Sequence, residues 1–105
     1  MKQIQTVGRS NDLPRICLWN KALITCGFDF GQPIEIKVTK TLVVIKPVDE
    51  GKRVVSKVMN HGNELPVIDL KTTKVINLDS LFVIGDKVTV TFSKNRITIK
   101  QDNER

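Results

Sequence analysis

A chain of 105 residues suits one domain able to bury a modest core without metal or disulfide staples, and abundant Val, Ile and Leu with no Tyr and one Trp point to an aliphatic, strand-rich interior. Seventeen Lys and Arg against eleven Asp and Glu leave a charge of +6, which fits a polyanionic partner and also serves solubility. Apolar runs such as 42–45 and 81–84 are too short to span a bilayer, so a membrane protein is not expected.

Cys17 and Cys26 lie nine positions apart with no secretory leader before them, which reads as reduced thiols in a cytoplasmic protein. His61 stands far from them, and no CxxC or HxxxH spacing exists, so neither a metal nor a cofactor is expected.

In chain order, residues 13–18 (LPRICL) form an opening strand. Asn20 can cap a two-turn helix over 21–26, with Gly27 supplying a left-handed stop. Residues 34–38 and 42–46 then alternate as a β-hairpin, with Ile34, Ile36 and Val38 on one face and Glu35 and Lys37 on the other. A polar connection over about 47–53 follows, carrying Asp49, Glu50 and Gly51.

The second half repeats the first. Residues 65–70 (LPVIDL) match the opening strand at an offset of 52, and from the glycine onward the offset is 54, so that Gly85 matches Gly31, Val90 matches Ile36 and Lys100 matches Lys46. Thr72 or Thr73 can cap a helix over 74–81, although Val75 and Ile76 weaken it by their stiff side chains. A hairpin over 88–92 and 96–100 ends the copy, with Thr89 and Thr91 facing away from Val88, Val90 and Phe92. Each copy leaves strand edges and an apolar face exposed, so the two must share one core.

The segment LPRICLWNKALITCGFDFGQPIEIKVTKTLVVIKP resembles the SymE-like toxin family within the AbrB-type swapped-hairpin group: a Pro before a short strand, a short helix ending in GF, a Gly opening the hairpin, and a closing LVVIKP. The likeness covers residues 4–47, and residues 53–100 resemble a divergent second copy. It implies a mostly β fold with short helices, an AbrB-like barrel formed as an intramolecular pseudodimer of two β-α-β-β units within a single domain spanning 1–105. It also implies nucleic acid as the partner, since AbrB-type relatives are DNA-binding regulators and antitoxins and SymE-like proteins are associated with RNA cleavage. Trp19 stands nearer the opening strand than the family's GKWL tryptophan, and Val67 replaces the basic residue found at Arg15, so unequal contact from the two halves is expected.

Arg9, Arg15 and Lys21 flank the first opening strand, while Arg53, Lys57, Lys71 and Lys74 occupy corresponding regions around the second. Brought to one surface, they can neutralise phosphates and release counterions. Lys40 and Lys94 sit in matching hairpin turns, where charge discourages edge pairing between molecules. Trp19 or a phenylalanine could stack on a base, yet core packing explains them better, Phe28 and Phe82 above all, because these two fall at matched positions beside the structural glycine. His61, with Lys57 and Glu64 nearby, is the one candidate general base, but His61-Gly62-Asn63 reads first as a turn.

The expectation is therefore a small binding protein for DNA or RNA without chemistry of its own, acting as a regulator or toxin–antitoxin-type modulator. Its alternatives are a SymE-like RNA endonuclease, and a module that binds a protein partner through a strand edge or apolar patch. A monomeric pseudodimer is expected, with further self-association left open.

Overall fold

In the segment Lys87–Ser93, Val88, Val90 and Phe92 are buried while the residues between them face outward, the period-two pattern that makes a half-buried strand. Nine strands form two antiparallel sheets in the computed structural model, which describes residues 2–19, 21–73 and 76–102. They are β1 (Lys2–Thr6), β2 (Gly8–Ser10), β3 (Leu13–Trp19), β4 (Ile34–Val38), β5 (Leu42–Pro47), β6 (Ser56–Asn60), β7 (Asn63–Lys71), β8 (Lys87–Ser93) and β9 (Arg96–Gln101). The five-stranded sheet runs in the order β1-β8-β9-β5-β4, and the four-stranded sheet in the order β2-β3-β7-β6. No helix among the described residues is long and apolar enough to cross a membrane.

The sheets bury their inner faces in one cluster that draws on both halves of the chain, including Ile16, Leu18, Ile45, Leu70, Val90 and Ile99. Phe28 and Phe82 are fully buried in it, as expected of their matched positions. Gln5 ties the layers together, its Nε2 donating to the Cys17 carbonyl at 2.8 Å.

Two registers bring aligned positions face to face. Cys17 on β3 lies opposite Asp69 on β7, its match at the 52-residue offset, and Val44 on β5 lies opposite Thr98 on β9, its match at 54. The turns repeat the correspondence: Gly31 N–H donates to the Val55 carbonyl at 2.8 Å, and Gly85 N–H to the Val7 carbonyl at 2.9 Å. Each of these glycines has a positive φ, 77° and 95°.

The helical expectations need correction. α1 covers only Ala22–Thr25, a single turn with no side-chain cap, and Asn20, expected to cap it, lies outside the described residues. Its end is as expected: Gly27, at φ 96°, sends its N–H to Ile24 O, and Phe28 sends its own to Leu23 O, the paired bonds that close a helix through a left-handed glycine. The second helix, expected over 74–81, is a 3-10 turn at Leu78–Ser80, with Lys74 and Val75 outside the described residues. Thr73 competes with helix formation at Ile76: its N–H donates to the Ile76 carbonyl at 2.8 Å, and its hydroxyl accepts from the Ile76 N–H at 3.0 Å.

Strands β1, β2 and β6 were not among the expected elements. β2 and β6 each enter a hairpin closed by two left-handed residues, Asn11-Asp12 before β3 and His61-Gly62 before β7, the backbone of a type I′ turn. The β6–β7 arms are longer, pairing five positions where β2–β3 pairs three.

Candidate nucleic-acid interface

On the outward side of β3, strand parity sets Arg15, Cys17 and Trp19 in a row, because Ile16 and Leu18 between them point into the core. The antiparallel register sets Lys71, Asp69 and Val67 of β7 beside them, and Ser56 of β6 beside Val67. All of these but Lys71, together with Lys57, Val58 and Met59, line an open groove of about 530 Å³.

Trp19 is 52 % exposed and Met59 62 %. The expectation that Trp19 packs in the core is thus overturned: as the neighbour of inward-facing Leu18, it falls on the solvent side.

Arg15 grips Asp69 with two parallel bonds, Nε to Oδ1 and Nη2 to Oδ2, each 2.8 Å long. Lys71 Nζ stands 3.9 Å from Asp69 Oδ2. The hydrogen bond from Arg15 holds the Asp69 carboxyl below the usual carboxylate range against the opposing effect of partial burial, and the charges of Arg15, Lys71 and Arg53 pull the same way. Burial pushes the Cys17 thiol up, and the neighbouring Asp69 charge adds to it, so this sulfur stays protonated and weakly nucleophilic at neutral pH.

The expected cationic set is partly gathered here. Arg15 and Lys57 line the groove, and Arg53 and Lys71 act on the carboxylate at its edge. Arg9 is not with them but pairs with Asp12 at 3.3 Å near the β2–β3 turn, and Lys21 stands exposed at the start of α1. Lys74 lies outside the described residues. Lys57 pairs with Glu64 at 3.6 Å, and His61 stands exposed at the tip of the β6–β7 hairpin at φ 52°.

A second cationic surface escaped the sequence reading. The outward positions of the five-stranded sheet carry Lys2, Lys37, Lys46, Lys87, Arg96 and Lys100, with Glu35 as the carboxylate among them. None of the six joins an ion pair among the described residues. Strand alternation marked Lys37 as outward, but the order that sets β5 against β9 is a long-range property.

No group of three or more His, Cys, Asp or Glu gathers among the described residues. No family model, curated protein or solved structure matches the chain.

Proposed function

We propose that this chain is a small nucleic-acid-binding protein, an intramolecular pseudodimer of the AbrB-type swapped-hairpin kind, which holds a single strand in the groove over β3, β7 and β6. The observation that carries the reading is the half-exposed Trp19 sharing that groove with Arg15 and Lys57, while Arg53 and Lys71 act on Asp69 at its edge. Strand-binding surfaces combine a ring on which a base stacks with cations that follow the backbone, and stacking contributes about 1–3 kcal/mol per base. Arg15 suits the task because Asp69 fixes its fork through Nε and Nη2.

The pseudodimer is supported by the meeting of aligned positions at Cys17–Asp69 and Val44–Thr98, and by the resemblance of residues 4–47 to SymE-like proteins. That resemblance makes a regulator or toxin–antitoxin-type modulator the fitting biological role. A protein partner is the second reading, favoured by β6: it is an edge strand exposing Val58 and Met59, onto which an extended segment could add.

Filter binding of single-stranded DNA, RNA and duplex DNA at several salt concentrations tests the reading. Single strands should be retained, and Arg53→Ala with Lys57→Ala should weaken them and flatten the salt dependence by about 0.7 for each phosphate no longer neutralised. Retention that is unchanged in the folded double variant would move the site off this groove.

A further inference from the structure

The two sheets share one core through their inner faces, so their outer faces point away from each other. The groove occupies one. The other holds six cations to one carboxylate and carries no aromatic ring among its described outward residues, where Ile4, Leu42 and Val44 are the large apolar side chains. Between the cations stand the hydroxyls of Thr89, Thr91 and Thr98.

This chemistry differs from that of the groove. Without a ring, a flexible single strand gains no stacking here to offset the entropy of ordering it. Lys, Arg and Thr side chains are the groups that contact phosphate and sugar without reading bases, and an already rigid double helix pays little to present its backbone to them. Lys46 and Lys100 hold corresponding places on either side of the Val44–Thr98 pair, four residues apart in register and so about 14 Å apart along the strands. Each borders a hollow: Lys46 lines one of about 200 Å³ with Lys37, Arg96 and Glu35, and Lys100 lines one of about 580 Å³ with Lys40, Thr89 and, beyond the strand ends, Asp102 and the inward-facing Phe82.

We propose that the outer face of the five-stranded sheet is a second nucleic-acid surface that holds the phosphate backbone of a double-helical segment, so that one molecule bridges a duplex and a single strand. The bridging half rests on the groove reading above; the duplex surface does not.

The test uses the full chain with fluorescently labelled duplex DNA, duplex RNA and single-stranded DNA, measured by anisotropy across a salt series. The variants are Lys46→Glu with Lys100→Glu, the milder Lys46→Gln with Lys100→Gln, and Trp19→Ala, each checked for folding by its thermal transition. The charge reversal should weaken duplex binding by about tenfold or more, the Gln pair by less, and the salt slope on duplex DNA should fall by about 0.9 for each phosphate no longer neutralised. Single-strand affinity should stay within about twofold by this account, since stacking at Trp19 is untouched. DNA and RNA duplexes held alike indicate a backbone surface, and one held alone assigns the helix form it fits. Donor and acceptor dyes on duplex and single strand should show energy transfer only with protein present.

Duplex binding that is absent in wild type, or unchanged in the folded reversal, overturns the surface. Equal loss on duplex and single strand, or displacement of one by the other, also overturns it, because a single shared surface would then suffice. Trp19→Ala without effect on single strands, with the duplex results as expected, would sink the groove reading alone.

Discussion

The Cα of Gly27 faces the Asn95 side chain so closely that a Cβ added there would meet Asn95 Oδ1, while the Asn95 N–H donates to the Cys26 carbonyl at 2.7 Å. The end of α1 in the first half is thereby locked onto the β8–β9 turn in the second. Gly27 serves at once as the helix stop, at φ 96°, and as the gap that admits the neighbouring turn.

Gly27→Ala should therefore cost about 1–3 kcal/mol, since it forces a side chain into a left-handed backbone and against Asn95. For a domain of this size each kcal/mol lowers the melting temperature by about 4–8 °C, which circular dichroism resolves. Adding Asn95→Gly should restore the part due to the clash and leave the backbone part. Melting curves that coincide for wild type and Gly27→Ala would show that the two segments do not meet as described.

The Arg15–Asp69 pair gives the fold a pH dependence of defined sign. A carboxyl held low in the folded state contributes stability that is present above its usual range near pH 4 and lost as pH falls through the lower folded value. With its partners partly exposed, the pair is worth no more than about 1 kcal/mol. Asp69→Asn should melt a few degrees below wild type at pH 7, and the gap should narrow toward pH 3. A gap that widens on acidification would contradict the pairing.

Much of this architecture was legible locally. Ile34, Val88 and Phe92 announce inward strand faces by parity, and the 52- and 54-residue offsets name the positions that meet at Cys17–Asp69 and Val44–Thr98. β1 was not legible, because KQIQT carries only Ile4 as an apolar residue and leaves it exposed; it becomes a strand by adding to β8. Trp19 does not share the burial of Phe28 and Phe82, with which it was grouped, because parity with inward-facing Leu18 sets it outward. The convergence of Arg15, Arg53 and Lys71 on Asp69, and the cation-rich face spanning β1, β8, β9, β5 and β4, depend on long-range pairing that no local pattern encodes.

His61 bears on catalysis. Cleaving RNA through a side chain requires a base at the 2′-hydroxyl and an acid at the leaving oxygen, and His61 sits exposed on a hairpin tip, away from the row formed by Arg15, Cys17 and Trp19. Purified protein is expected to bind labelled RNA and leave it intact, with or without magnesium. Cleavage that copurifies with the protein and vanishes in folded His61→Ala would make the chain a nuclease.

Trp19 is the sole tryptophan of the chain, so its emission reports on the groove alone. Titrating the protein with an unlabelled single-stranded oligonucleotide at low salt, while a labelled copy follows binding by anisotropy, shows whether the strand lies against Trp19. Stacking of a base on the half-exposed indole should quench the emission and shift it to shorter wavelength, saturating with the binding curve and reversing as salt is added. Saturable binding that leaves the intensity and wavelength of Trp19 emission unchanged would show that the strand lies elsewhere on the molecule.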